Sequence, residues 1–279
     1  MIISVDDLLV EVSKRLKKSG HSEGLREAKK ILAFVLNCDY QELGGFNNCG
    51  ISGEKIDFLN SLIRDRMNKK PISRIIGRRK FYKGDFIINE GVFDPRPETE
   101  GVVFVGLKEK FGSVLDLGVG SGCILISLLK DNSISTGLGV DISMACLETS
   151  SLNAVRSDVS DRARFVLSNW FENINEKFDL IVSNPPYISE IEFENLDADV
   201  KCYDPKISLI SGRDGLDAYR VISREASKYL NPKGRVVLEI GYSQADAVKE
   251  LFFLNGFGDF RIWKDINGKD RTVSARLLM

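Results

Sequence analysis

Asn184-Pro185-Pro186-Tyr187 follows an apolar run made by Phe178, Leu180, Ile181 and Val182. Such a run reads as a strand buried on both faces of a parallel sheet, which puts the Asn at its carboxyl end. Two prolines fix φ at about −65° and carry no N–H, so the carbonyls of Asn184 and Pro185 are not consumed by a continuing ladder or helix. In open α/β sheets ligands bind at the carboxyl ends of the strands. There an Asn amide, a backbone carbonyl and a Tyr ring can grip a planar group bearing an NH2. Alone, the same four residues also make a Pro-Pro turn with a capping Asn.

A second stretch adds weight. Val114-Leu115-Asp116-Leu117-Gly118-Val119-Gly120-Ser121-Gly122 reads as a strand entering a glycine turn that opens a helix. Glycines permit positive φ and let a ligand lie against the backbone. The spacing is G-x-G-x-G, without the later glycine of the dinucleotide fingerprint. The next expected strand ends in Asp141, 19 residues after Gly122, where a carboxylate can accept both hydroxyls of a ribose. A ribose site without a phosphate-specific lysine suits S-adenosylmethionine, whose adenosine carries a sulfonium and an amino acid in place of phosphates.

Composition narrows the chemistry further. The 279 residues contain one histidine, His21, beside Gly20 and Ser22 in an expected interhelical turn. Ser-His-Asp and Cys-His catalysis and His-ligated zinc therefore lack material, and no metal is expected. Net charge is −1 and the isoelectric point about 6.1, which gives no global reason to bind nucleic acid or an anionic membrane. Cys38, Cys49, Cys123, Cys146 and Cys202 are odd in number and form no C-x-x-C pair, as expected of reduced thiols in a cytoplasmic protein. No signal-like h-region and no run of about 18 apolar residues occurs.

The elements that must position these residues can be read in outline. Ser4 caps an expected helix carrying Val5, Leu8, Leu9, Val12 and Leu16 at helical spacing, and further helices are expected over 23–37 and 53–68. Gly44, Gly45, Asn47, Asn48 and Gly50 read as a loop among them. Phe81, Tyr82, Phe86, Ile87 and Ile88 around Lys83-Gly84-Asp85 read as a β-hairpin linker, with Arg78, Arg79 and Lys80 as a solvated turn or a patch facing an acidic or nucleic-acid-bound partner. Strands are expected at 113–117, 136–141, 163–167, 178–183, 234–240, 259–264 and 272–277, with helices between them, for example at 144–155 and 216–229. The fold class is thus α/β, a seven-stranded doubly wound sheet. The short 265–271 connection requires the last two strands to pair antiparallel, giving a reversed strand near the end. The expected organisation is a helical domain over 1–75, a hairpin linker over 76–95 and a catalytic domain over 96–279.

The glycine turn, Asp141 and Asn184-Pro185-Pro186-Tyr187 together resemble the class I S-adenosylmethionine-dependent methyltransferases that modify planar nitrogen. Five further blocks narrow this: Pro95-Arg96-Pro97-Glu98-Thr99-Glu100, Ser183 before the clamp, Tyr203-Asp204-Pro205, Gly215-Leu216-Asp217-Ala218-Tyr219-Arg220 and Glu239-Ile240-Gly241. With them the chain is similar to the release-factor glutamine methyltransferases, the PrmC/HemK family, most strongly from Pro71 onward. Asn-Pro-Pro-Tyr by itself is shared with adenine-N6 methyltransferases.

The resemblance implies a helical domain that helps hold class I peptide chain release factors, the protein substrates, and methylation of the N5 amide of the glutamine in their Gly-Gly-Gln motif. No direct nucleic-acid or membrane partner is expected. It places Gly118, Val119, Gly120, Ser121, Gly122, Asp141, Trp170 and Asn184 at the cofactor, and Asn184, Pro185, Pro186 and Tyr187 at the glutamine. Asn184, Pro185 and Tyr187 would carry the catalysis. Trp170 can border adenine or simply fill the core. Arg96, Glu98, Thr99 and Glu100 can form the cleft wall or tie the linker to the sheet. Asn169 stands where the family commonly has an acid, and Asp94 where an apolar residue is usual. Rival readings are adenine-N6 methylation of nucleic acid, glutamine methylation of a ribosomal protein, and an inactive cofactor-binding module.

Overall fold

The structure is a computed structural model that describes residues 4–46 and 51–278, so Asn47, Asn48, Cys49 and Gly50 lie outside the described residues. The chain divides into two units, Met1–Gly77 and Arg78–Met279.

In the first unit the Ser4 hydroxyl accepts from the Asp7 N–H at 3.1 Å and starts α1, Val5–Lys18. Satisfying an orphan donor in this way is what favours Ser at an N-cap. Helices α2, Gly24–Leu36, α3, Gly53–Met67, and the short α4, Ile72–Ile76, complete the unit. Val5, Val12, Leu16, Ile31, Leu32, Leu59 and Ile63 form its core, all at helical spacing. Gly44 and Gly45 are not in an open loop but in a 3-10 stretch, Tyr40–Phe46. Leu43 is buried there, and the Asp39 N–H donates to the Glu42 carboxylate at 3.1 Å, so one apolar anchor and one local cap outweigh two flexible glycines. His21 is buried in the turn between α1 and α2, with Nδ1 3.6 Å from Glu27, which also takes two bonds from Arg66 at 2.8 and 2.9 Å. Burial, then the Arg66 charge, push the imidazole below its usual value, so His21 is a packing residue.

The second unit begins with a hairpin, β1 Arg78–Phe81 and β2 Gly84–Ile87, paired antiparallel. It is tied down rather than solvated. Asn153 donates to the Ile87 carbonyl and accepts from the Ile87 N–H, and Phe81 and Phe86 are buried in the core of this unit. The basic run lies in β1, not in a turn. Arg79 is held by the buried Asp94, while Arg78, 3.4 Å from the exposed Asp85, and Lys80 remain exposed, so the solvated reading holds for two of the three residues, on a strand and not in a turn.

After α5, Glu100–Gly106, strand and helix alternate: β3 Ser113–Leu117, α6 Cys123–Asp131, β4 Thr136–Asp141, α7 Met144–Arg156, β5 Ala163–Leu167 and β6 Phe178–Ser183. Short helices α8, Glu190–Glu194, and α9, Ala198–Tyr203, precede α10, Asp217–Glu225, β7 Leu230–Glu239, α11 Ala245–Phe253, β8 Phe257–Lys264 and β9 Asp270–Leu277. The helix expected over 216–229 ends as α10, its last turn tightening to 3-10 at Ala226–Tyr229. Strand β7 starts earlier than expected because Leu230 already pairs with Phe178. The irregularity through Asn231-Pro232-Lys233-Gly234, which reads as a turn, is absorbed as a register shift.

The seven strands lie in the order β5-β4-β3-β6-β7-β9-β8, and only β9 runs against its neighbours. Alternate residues face opposite layers: Val114, Leu180, Val182 and Val237 meet α5 and α6, while Leu115, Ile181, Val236 and Leu238 meet α10 and α11. Helices thus cover both faces of the doubly wound sheet. The path runs outward from β3 to β5 and returns at β6, leaving a topological switch between β3 and β6, where ligand crevices open.

Candidate active site

Strands β5, β4, β3, β6 and β7 end side by side, so the loops at their carboxyl ends surround one cleft. Its cavity of about 470 Å3 is lined by Gly118, Val119, Gly120 and Ser121 after β3, by Asp141 at the end of β4, and by Ser168 and Trp170 after β5. Asn184, Pro185, Pro186 and Tyr187 after β6 form another wall. Every cofactor and substrate residue singled out in the sequence therefore borders the cleft except Gly122. That glycine stands behind the turn at φ 79° and opens α6. A Cβ there would sit 2.8 Å from Ile126 Cδ1 and 3.0 Å from Ser150 Cβ, so its absence allows close packing of the turn on α7.

The glycine turn is shaped by its acids. The Gly120 N–H donates to one Asp141 oxygen and the Ser143 N–H to the other, both at 3.0 Å. A carboxylate has about four acceptor directions, so Asp141 keeps capacity for a ligand while locking the turn. Beneath it Asp116 is fully buried in β3, with one oxygen accepting from the Leu125 N–H at 3.2 Å and the other without a partner. Burial pushes its carboxyl up to about 8. No motif in the sequence singles out Asp116. A charged type inside an otherwise apolar strand was the available signal.

Trp170 is half-buried, packs partly on the core and also faces the cleft, which joins the two readings of it. Its φ of 52° is uncommon for a bulky residue, and the strain is held by the Ser168 hydroxyl, which donates to the Trp170 carbonyl at 3.0 Å and accepts from the Asn173 N–H at 3.0 Å. Asn169 lines the cleft and its amide donates to Glu172, so a neighbouring acid is recruited beside the position where the family commonly has one.

At the clamp, the Asn184 Nδ2 donates to the Thr99 hydroxyl at 3.1 Å, and the Tyr187 hydroxyl donates to the Glu239 carboxylate at 3.0 Å. Among the described residues none donates to Asn184 Oδ1 or to the Pro185 carbonyl. The other blocks of the resemblance brace this loop. Gln244 bridges the carbonyls of Tyr187 and Gly215. Gly215, at φ 76°, comes so close that a Cβ would approach the Tyr187 carbonyl to 2.4 Å. Tyr219 donates to the Glu239 carbonyl at 2.9 Å. Burial, followed by the Glu239 charge, pushes the Tyr187 phenol far above its ordinary value.

Three of the four residues around the start of α5, Arg96, Thr99 and Glu100, take one or other of the two roles left open for them. Thr99 forms cleft wall. Glu100 accepts from the Tyr82 N–H at 2.9 Å and so ties the hairpin, while Arg96 pairs with Asp204 at 2.6 Å and Asp94 at 3.4 Å. Asp94 is accommodated by this ion network, which fixes the path of the segment.

Comparison with known proteins places the chain in a family. Residues 7–77 match the PrmC N-terminal domain and residues 99–198 the methyltransferase small domain. The chain is 38% identical to a release factor glutamine methyltransferase of Cereibacter sphaeroides, covering 97% of this chain and 98% of that one. It is 36% identical to one of Agrobacterium fabrum, covering 96% of each. A bifunctional methyltransferase of Rickettsia felis is 35% identical, and this chain spans 58% of its length. Among solved structures, the hMettl16 catalytic domain in complex with MAT2A 3'UTR hairpin 6 superposes with a TM-score of 0.54 at 15% identity, over 69% of this chain and 75% of that one. A methyltransferase from Pyrococcus furiosus gives 0.51 at 15%, over 70% and 90%, and both show the shared fold. Near-full-length identity carries the assignment further than fold: the chain belongs to the release factor glutamine methyltransferase family.

Proposed function

We propose that the chain methylates the side-chain amide N5 of the glutamine in the Gly-Gly-Gln motif of class I peptide chain release factors, using S-adenosylmethionine. The cleft suits that cofactor. It has the volume of a small-molecule site, a carboxylate with spare acceptor directions for a ribose in Asp141, an aromatic border in Trp170, and glycines that expose backbone to a ligand. When bound, the cofactor supplies an electrophilic methyl group and leaves as a thioether.

The observation that carries the reading is the orientation of Asn184. Nδ2 is committed to Thr99, and Asn184 and Pro185 both line the cleft, which leaves the amide oxygen and the Pro185 carbonyl as the acceptors open to a substrate. Two acceptors hold the two N–H bonds of a planar NH2 and orient its nitrogen for in-line attack. An amide nitrogen is a weak nucleophile because its lone pair is delocalised into the carbonyl. The acceptors favour the pyramidal form that develops as the N–C bond forms. The proton becomes acidic only as positive charge builds on nitrogen, and it leaves to water. Tyr187 packs against the flat group. Its phenol, raised by burial and bonded to Glu239, is no base.

The helical unit, residues 1–75 in the sequence reading, is proposed to bind the release factor away from the reacting loop, and the activity would belong to the cytoplasm, with translation. Among the described residues no helix is long and apolar enough to cross a membrane. The test is incubation with S-adenosylmethionine and a full-length release factor, followed by mass spectrometry. One added methyl on the Gly-Gly-Gln glutamine, absent when that residue is replaced, supports the reading. Methylation of adenine in DNA or of a ribosomal protein, with none on any release factor, overturns it.

A further inference from the structure

Glu239 ends β7 at 1% exposure, inside the wall of the clamp rather than in the cleft lining. One oxygen takes the Tyr187 hydroxyl at 3.0 Å, and the other has no partner at bonding distance. Thr99, also 1% exposed, stands beside this carboxyl, and its hydroxyl favours the ionised form. The same hydroxyl oxygen accepts from Asn184 Nδ2 at 3.1 Å. Tyr187 therefore bonds the buried acid directly, while Asn184 bonds a threonine that adjoins it without bonding its open oxygen in this arrangement.

The chemistry of these groups fixes a direction. A carboxylate only accepts, and a threonine hydroxyl has one hydrogen to give. If Thr99 gives that hydrogen to the open Glu239 oxygen, it can only accept from Asn184. Asn184 must then turn its NH2 inward and its oxygen outward. A protonated Glu239 can instead donate to Thr99, which frees Thr99 to donate in turn and lets the Asn184 amide reverse, pointing a donor at the substrate NH2.

We propose that Glu239 is a positioning residue which, through Thr99 and Tyr187, holds the Asn184 amide oxygen toward the acceptor nitrogen and the Tyr187 ring against it. The proposal rests on the methyl-transfer reading above. Burial pushes Glu239 up to about 7, against the opposing pull of Thr99, Arg271 and Tyr187. The groups facing it are Glu98 before α5, Thr99, Tyr187 after β6, Tyr219 of α10, Arg271 of β9 and Cys123 of α6. Burial raises both tyrosines and pushes Cys123 up to about 12, so these three keep their charge near neutrality.

The experiment compares wild type, Glu239→Gln, Thr99→Val and Thr99→Ser as full chains, with a release factor and S-adenosylmethionine both saturating, across pH. Wild-type methylation of the release factor is the control arm, and its absence overturns the functional reading and not this one. With wild type active, its kcat should fall on the acid side with a midpoint well above the usual carboxylate range. Glu239→Gln, which like the protonated acid offers one acceptor and one donor, should lower kcat on the order of tenfold, the loss of about one hydrogen bond's worth of orientation. It should lack that acid limb and leave cofactor affinity by calorimetry unchanged. Thr99→Val should lose a similar factor and Thr99→Ser should recover it. An unchanged kcat in Glu239→Gln, an acid limb that persists in it, or a loss confined to cofactor affinity overturns the proposal. If Glu239→Gln does not fold, the threonine pair decides: equal rates for Val and Ser overturn it, and a slow Val with a fast Ser sustains it.

Discussion

Arg79 and Asp94 meet in a two-bond ion pair, Nε to Oδ1 and Nη2 to Oδ2, both 2.7 Å, with the carboxylate 1% exposed. Arg79 lies in the hairpin and Asp94 opens the segment that leads to Thr99, so the pair fixes where the cleft wall begins. Removing one partner of a buried pair strands a charge, at a cost of about 3–5 kcal/mol. Arg79→Leu is expected near the lower end, about 3 kcal/mol, because Arg96 remains 3.4 Å from Asp94. Denaturant unfolding measures it. Arg79→Leu combined with Asp94→Val should recover most of the loss, and a double variant no better than the single would show that the site needs the charges themselves.

Asp116 makes stability depend on pH. Its folded value, pushed up to about 8 from 3.8 chiefly by burial, exceeds the unfolded one. Below about pH 4 both states hold the proton and the group costs nothing. As pH rises from about 4 to about 8, the unfolded chain releases its proton while the folded chain keeps it, so this contribution to stability falls across that window and is lowest above it. Asp116→Asn should remove the share of the dependence that Asp116 carries, leaving that of Glu239. Urea titrations of the cofactor-free protein at about pH 4 and about pH 9 should show little difference at the first and a variant more stable by at least about 1 kcal/mol at the second. Equal stability at both would mean that Asp116 ionises freely in place.

Asp141 supports the turn and is proposed to hold the ribose. Asp141→Ala loses the acceptors for Gly120 and Ser143 as well as any ligand bond. Cofactor affinity should weaken by about 1.5–3 kcal/mol, the range for a hydrogen bond to a charged group. Calorimetry reads it, and unchanged affinity in a folded variant removes Asp141 from the ribose site.

The sheet was legible because each of its central strands is an apolar run stopped by a polar turn. Ser113–Leu117, Thr136–Asp141, Ala163–Leu167 and Phe178–Ser183 lie where periodicity put them. The start of β7 was hidden because Pro232 and Gly234 look like a turn, although Leu230 pairs with β6 across the irregularity. The cleft itself was readable from Gly118, Asp141 and Asn184, which stand at strand ends. What lies behind it was not: the weight of Asp116 and the bonding roles of Thr99, a residue readable as cleft wall, and of Glu239, quoted only within a family block, come from burial and from neighbours far along the chain. Arg79 and Asp94 show the same limit. A basic run and an odd acid 15 residues apart explain one another only once the hairpin is docked.

Asn184 is where the proposed chemistry is most exposed to test. Its Nδ2 is held by Thr99, its oxygen is the proposed side-chain acceptor for the substrate amide, and the Pro185 carbonyl, followed by a proline, is the proposed second. Asn184→Ala deletes the first acceptor and leaves the turn's prolines and Gln244 brace in place. Deleting one preorganised transition-state hydrogen bond costs on the order of a hundredfold in kcat, and that loss should persist with cofactor and release factor both saturating. Asn184→Asp separates geometry from donor chemistry. The carboxylate keeps an acceptor toward the cleft but offers Thr99 no donor, so it sets Thr99 and Glu239 at odds and should also slow transfer. Single-turnover rates on the release factor, beside cofactor affinities for each variant, decide the matter. Full single-turnover rates in Asn184→Ala would reduce Asn184 to a turn residue and leave the Pro185 carbonyl alone to orient the amide.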